Sequence, residues 1–245
     1  MMRQNFYKEF SFIYDKLMTD VDYDKWTEFI LKNIPENSKK LLEAACGTGA
    51  ITYNLAQSNL DITAFDLSEE MLVKAYEKLR KYKNVKLLNQ NMAKFKINQS
   101  FDACISCCDG VNYLDKNDMT VFFKRAFKHL NKNGKFILDI STEFKYNSME
   151  DIYIYDKNDV FYVWENKLDK EKDIVFMEIN FFVKAMDKYA RITEIQTHYI
   201  HKVSDIENIL KDVGFSDIKI YDSYTDDFFN DSSMRATFVC EKTGK

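Results

Sequence analysis

Apolar and aromatic residues recur at helical spacing near the start of the chain, first Phe6, Phe10, Ile13, Tyr14 and Leu17, then Trp26, Phe29 and Ile30. With a polar break over residues 19–24, this predicts two helices joined by a short loop. After Pro35 the apolar run Leu41-Leu42-Glu43-Ala44-Ala45 leads directly into Cys46-Gly47-Thr48-Gly49 and a helical pattern over residues 51–57, which predicts strand, glycine turn and helix. The alternation continues with strands at 61–65, 85–88, 101–107 and 135–140 and helices at 68–81 and 115–130, for which Ser68 and Asp115 are expected as N-caps. Strands alternating with helices of this length imply βαβ units and a parallel sheet covered on both faces.

Between residues 151 and 201 the period changes. Apolar runs at 152–155, 160–168, 174–184 and 190–200 are separated by polar links too short for helical crossovers, and Ile174, Phe176, Glu178, Asn180 and Phe182 show the two-residue alternation of a strand. The expectation is an antiparallel meander inserted in a parallel fold. Beyond it a helix at 204–213 ends at Gly214, and strands follow at 217–221 and 236–241.

Composition narrows this picture. The chain has 245 residues, six glycines and one proline, which excludes proline-rich and low-complexity architectures and makes each glycine a position to account for. The net charge of −4 provides no overall positive field for a polyphosphate backbone, so nucleic acid is disfavoured as a partner. Five cysteines, an odd number, and a start that does not lead into an apolar signal core point to a reduced, cytoplasmic protein without a membrane-spanning helix. A metal reading of Cys104, Cys107 and Cys108 fails on strand geometry: 104 and 107 face opposite sides, while 104 and 108 are too far apart to share one zinc.

The glycine turn lies at the carboxyl end of the first strand, where a doubly wound sheet binds its ligand. It is not G-x-G-x-x-G, because position 52 is Thr52, and no Gly-Lys-Ser/Thr follows for a P-loop. Asp66, at the end of the second strand, can accept both hydroxyls of a ribose, which points to a nucleoside with a free diol.

The run Leu42-Glu43-Ala44-Ala45-Cys46-Gly47-Thr48-Gly49 resembles motif I of the class I S-adenosylmethionine-dependent methyltransferases, and Phe65-Asp66-Leu67-Ser68-Glu69-Glu70-Met71-Leu72 resembles their motif II. Leu88-Asn89-Gln90-Asn91-Met92 matches the third motif, the stretch from Phe101-Asp102 to Leu114 the fourth, and Leu130-Asn131-Lys132-Asn133-Gly134-Lys135 the turn before the fifth strand. The resemblance covers residues 1–141 well, and Gly214-Phe215 with the last two strands fits the closing pair. It implies an α/β, Rossmann-like fold of seven mostly parallel strands with helices on both faces, plus the inserted meander as a lid. Residues 1–36 would be a helical cap, 37–142 and 202–245 the cofactor domain, and 143–201 the lid or substrate subdomain.

The cofactor implied is S-adenosyl-L-methionine, with S-adenosyl-L-homocysteine as product. By resemblance Gly47 and Gly49 approach the methionine moiety, beside Ala45 and Cys46, and Glu43 helps hold its ammonium group. Asp66 takes the ribose, and Leu67 and Met71 flank the adenine, with Asn91 and Met92 nearby. The backbone at Cys107, Cys108 and Asp109 meets the methionine amino group. Ala45 stands where the family has its first glycine, and Asn91 where it usually has Asp; an Asn carbonyl oxygen can still accept from the adenine amino group.

Candidate acceptor contacts are Tyr14, Asn112, Tyr113 and His198, with Asp109 and His201 as further polar candidates; by resemblance Tyr7 and Tyr14 would also close over the cofactor. The segment Asp109-Gly110-Val111-Asn112-Tyr113 is not the Asn-Pro-Pro-Tyr that the family uses on planar amino groups. No catalytic residue is assigned. The aromatic lid residues Tyr153, Tyr155, Phe161, Tyr162, Trp164, Phe176, Phe181 and Phe182 are expected to shape the acceptor pocket. The expected activity is in-line transfer of a methyl group to an N, O or C nucleophile of a small molecule. The alternative is a non-catalytic module that binds an S-adenosyl ligand or a protein partner.

Overall fold

A computed structural model describes residues 21–157, 160–185 and 188–243. The first expected helix, with Tyr7 and Tyr14, lies outside them. The second is α1, Tyr23–Asn33, opened by Asp22, whose carboxylate accepts from the Lys25 N–H. The glycine turn joins β1 (Lys40–Ala44) to α2 (Ala50–Leu55), and β2 (Asp61–Asp66), α3 (Glu69–Leu79) and β3 (Val85–Asn89) follow. Next come β4 (Phe101–Ser106), a 3-10 turn (Gly110–Tyr113), α4 (Lys116–His129) and β5 (Leu130–Ser141). The Ser68 hydroxyl caps α3 at the Met71 N–H and the Asp115 carboxylate caps α4 at the Asp118 N–H, as their positions in the sequence suggest.

After β5 the short helix α5 (Glu143–Ser148), which the apolar pattern did not signal, leads into the inserted strands β6 (Ile152–Lys157), β7 (Val160–Asp169), β8 (Ile174–Ala185) and β9 (Lys188–Tyr199). The chain then returns through α6 (Val203–Val213), β10 (Ser216–Asp222) and β11 (Arg235–Glu241). Gly214 ends α6 at φ +114°, where a residue with a side chain would be strained. The expected turn over residues 130–135 lies within β5, which begins at Leu130, and its left-handed residue is Asn133, not Gly134.

The main sheet has seven strands in the order β10-β11-β5-β4-β1-β2-β3, all parallel except β11. Because strand side chains alternate, adjacent residues feed two separate cores. Leu41, Ala103, Ile105 and Ile137 pack with α1, α2 and α3 on one face. Leu42, Cys104, Phe136 and Phe238 pack with α4 and α6 on the other. The chain leaves β1 towards β2 and β3, then returns to β4 on the other side of β1, so the switch point of the sheet falls between β1 and β4.

The inserted strands form a second sheet, β6-β7-β8-β9, antiparallel throughout. One face carries Val175, Met177, Ile179, Phe181 and Ile192, all buried, and packs against Met71 of α3 and Tyr146 of α5. The other face carries Phe161, Phe176 and Phe182, pointing away from the main sheet. The expectation that the lid aromatics shape an acceptor pocket is therefore corrected: pleat alternation turns these three outward, while Tyr153, Tyr155, Tyr162, Trp164 and Phe181, on the inward side, pack among themselves and towards Met71 and do not border the cleft at the sheet's carboxyl edge. The five cysteines are free thiols, and no helix among the described residues is long and apolar enough to cross a membrane.

Candidate active site

A cleft of about 540 Å³ opens at the carboxyl ends of β1, β2 and β4 and is bounded on its far side by β9. The turn after β1 holds three left-handed residues, Ala45 (φ +56°), Gly47 (φ +53°) and Gly49 (φ +75°). The two glycines serve different ends. A Cβ on Gly47 would meet nothing within 4 Å, and the residue borders the cleft. A Cβ on Gly49 would lie 2.9 Å from Leu79 and 3.2 Å from Ala75, so this glycine lets α3 pack against the start of α2. The expected approach of Gly49 to the ligand is not seen, since it does not border the cleft.

Asp66 is oriented by backbone donors. One carboxylate oxygen accepts from the Gly47 N–H at 2.8 Å, and the other from the Ser68 N–H at 2.9 Å. Each oxygen keeps a lone pair that can receive a hydroxyl. Glu43, only 3% exposed, accepts from the Thr52 hydroxyl at 2.7 Å. Burial pushes its carboxyl up to about 7, partly offset by Thr52. Leu67, 65% exposed, and Met71 border the cleft beside Asp66, as do Asn91 and Met92. The Asn91 side-chain oxygen already accepts from the Ala93 N–H at 2.8 Å, which leaves one lone pair for a ligand.

Cys107 and Cys108 border the cleft as the sequence suggests, whereas Asp109 does not. Cys108 (φ +58°) and Asp109 (φ +63°) are consecutive left-handed residues without glycine, a strained arrangement that its surroundings must hold. Asp139 of β5, fully buried, accepts from both of their backbone N–H groups, at 3.0 Å and 2.8 Å, and from the Tyr224 hydroxyl at 2.7 Å. Arg235 of β11 lies between two carboxylates, 2.9 Å from Asp139 and 2.6 Å from Asp109. Burial pushes the Asp139 carboxyl up. Burial opposes ionisation of Asp109 too, yet Arg235 and Lys145 hold it well below the usual carboxylate range. The Asp109 side chain thus belongs to the scaffold behind the loop.

Of the expected acceptor contacts, Tyr113 borders the cleft and is 49% exposed. Asn112 is fully buried and its amide is spent on backbone: it receives the Ser141 N–H at 2.9 Å and donates to Tyr199 O at 3.0 Å. His198 sits edge-on to Tyr113 with ring centres 4.3 Å apart, and its Nδ1 is 2.8 Å from the Tyr146 hydroxyl. Burial lowers its pKa to about 4, so the ring is neutral at pH 7. His201 is taken up by the Leu114 carbonyl at 2.9 Å. Sequence reasoning missed Glu194 and Gln196 of β9, which border the cleft. The available signal was their position on the apolar side of β9's alternation, in register with Ile192 and His198.

The glycine turn at a sheet switch point, with an acidic residue ending β2 and a carboxylate-lined cleft, suits a cationic nucleoside ligand better than a dinucleotide. A family model described as "Methyltransferase domain" matches residues 41–134. YqeM of Bacillus subtilis (strain 168), a methyltransferase by name, is 32% identical over 97% of this chain and 97% of its own. A glycine/sarcosine N-methyltransferase of Aphanothece halophytica is 25% identical over 88% of this chain and 81% of its own. Among solved structures, an S-adenosylmethionine-dependent methyltransferase from Clostridium acetobutylicum ATCC 824 superposes with a TM-score of 0.85 at 34% identity, covering 97% of this chain and 99% of that one. The chain belongs to the class I S-adenosylmethionine-dependent methyltransferases: it is a methyl-transferring enzyme whose cofactor is S-adenosyl-L-methionine.

Proposed function

We propose that this enzyme methylates a small molecule held between the cofactor turn and the inserted sheet. The observation that carries the reading is the bounding of the cleft by β9: Glu194 and Gln196 border the same 540 Å³ space as Gly47, Asp66 and Tyr113. A space of this volume is typical of small-ligand sites. The Aphanothece relative is named for methylating glycine and sarcosine, two small molecules.

When bound, S-adenosylmethionine supplies a methyl carbon made electrophilic by the adjacent sulfonium. The chain's own residues bind, align and exclude water. Asp66 receives the ribose hydroxyls, Leu67 and Met71 cover the adenine faces, and Asn91 and Met92 border its edge. Glu43 balances the ammonium charge from beneath the turn, and the loop at Cys107 and Cys108 presents backbone to the methionine end, steadied by Asp139. Gly47 leaves room for that end. Tyr113 and the β9 side chains face the acceptor.

Incubation with methyl-labelled S-adenosylmethionine and a desalted metabolite extract, followed by size fractionation, tests this. Label in a low-mass product supports it. Label confined to protein or nucleic acid, or ligand binding without any transfer, contradicts it.

A further inference from the structure

Glu194 is a carboxylate on the wrong side of its sheet. It pairs with Ile179 across β8, and its same-face neighbours along β9 are Ile192 and Gln196, with His198 beyond. The same face carries the apolar cluster of Ile179, Phe181 and Ile192. On the opposite face Glu178 is compensated by Arg191 at 3.8 Å and by the Asn180 amide at 3.0 Å. Among the described residues Glu194 makes no ion pair; its neighbours are the Gln196 side chain, which meets it by a hydrogen bond, and the like charge of Glu70. Glu194 is half-buried, and a half-buried carboxylate that borders a cleft is stabilised by a cationic partner bound there.

The partner comes from the cleft. Glu43 and Asp66 lie at the cofactor end, on β1 and β2; Glu194 lies on the lid, with Tyr113 bordering the same space. Glu70 of α3 and Asp118 of α4 also border it, so the charge facing Glu194 across the cleft is negative. We infer that the methyl acceptor is a basic amine, and that Glu194 is the residue that receives it as an ammonium ion and takes its proton. The inference rests on the reading of this cleft as a small-molecule methyl-transfer site.

The ammonium form of the amine passes one proton to the Glu194 carboxylate, which frees the nitrogen lone pair. That pair forms the new C–N bond while the C–S bond breaks and its electrons leave with sulfur. The products are a methylated ammonium ion and neutral S-adenosylhomocysteine, and Glu194 returns its proton to solvent. Burial and the charge of Glu70 both raise the Glu194 pKa, which favours proton uptake. The groups facing this exchange are Glu70 from α3, Asp118 from α4, Tyr113 from the 3-10 turn and Gln196 from β9, while His198, buried behind Tyr113, does not border the cleft.

The test uses the full chain with matched panels: amines (glycine, sarcosine, ethanolamine, putrescine, glucosamine) beside the corresponding alcohols and carboxylic acids. Transfer from methyl-labelled S-adenosylmethionine is expected in the amine panel. Glu194→Gln is expected to leave S-adenosylhomocysteine affinity within about twofold, while weakening amine binding to the S-adenosylhomocysteine complex, read by calorimetry, by about ten- to a hundredfold. Glu194→Asp should restore part of it. Label in an alcohol or acid but in no amine, or amine binding unchanged in Glu194→Gln, overturns the inference while leaving small-molecule transfer intact. No label in any panel or in a metabolite extract overturns both.

Discussion

Arg235 clasps Asp109 through two hydrogen bonds, of 2.6 Å and 3.1 Å, and so ties the last strand of the sheet to the loop at the mouth of β4. The same guanidinium neutralises Asp139, whose carboxylate holds the two left-handed residues of that loop. Removing one member of such a buried set leaves uncompensated charge, at a cost of about 3 to 5 kcal/mol. Arg235→Met is therefore expected to lower Tm by on the order of 10 °C in a chain of this size. Adding Asp109→Asn should recover part of the loss. Melting of Arg235→Met within about 2 °C of the wild type would show that the cluster holds nothing in place.

The two glycines of the cofactor turn should separate stability from binding. Gly49→Ala forces a Cβ to 2.9 Å from Leu79 at φ +75°, so it should lower stability by roughly 1 to 3 kcal/mol. Gly47→Ala meets only the strain of φ +53°, roughly 1 to 2 kcal/mol, but puts a methyl group into open space beside the cleft. Its main effect should be a weaker Kd for S-adenosylhomocysteine. Melting curves and calorimetry on the two variants check this, and the reverse pattern would refute the division of labour.

Glu43 gives the folded protein a pH dependence of known sign. Its carboxyl is raised from 4.5 to about 7, so between those values the folded state holds a proton that the unfolded state has lost. Stability of the ligand-free protein should therefore fall as pH rises from about 4.5 to 7, by an amount on the order of 3 kcal/mol from this group, and level off above. Glu43→Gln should flatten that slope in denaturant titrations. An ammonium group docking beside Glu43 favours its ionised form, so ligand binding near pH 7 should release a proton, seen as a buffer-dependent binding enthalpy. A wild-type slope unchanged in Glu43→Gln would contradict the assignment.

Much of this architecture is legible in the sequence because local signals agree there. Apolar runs ending in glycine or an acidic residue mark β1 and β2, Ser68 and Asp115 mark helix starts, and the shift to two-residue alternation after residue 151 marks the second sheet. Asp66 could be singled out because its position at the end of β2 follows directly from that order. The rest depends on contacts between distant segments. Nothing near Asp109 signals that Arg235 will neutralise it, or that Ala45, Cys108 and Asp109 will adopt left-handed backbone without glycine. Asn112 looks like a site residue in a loop, but the returning chain at Ser141 and Tyr199 consumes its amide. Alternation in β7 and β8 separates Phe161, Phe176 and Phe182 from Tyr162 and Phe181, yet which set turns inward is decided by Met71 of α3 and Tyr146 of α5. That choice is also what carries Glu194 to the cleft.

The S-adenosyl nucleoside is expected to sit in the space beside Gly47 and Asp66. Calorimetric titration of S-adenosylhomocysteine into the wild type and Asp66→Ala tests it most directly. The expected result is one site per chain in the wild type, weakened about ten- to a hundredfold in the variant through loss of charge-assisted bonds to the ribose, with its melting temperature little changed. Equal affinity in the two proteins, or stabilisation by NAD but not by S-adenosylhomocysteine, would contradict it.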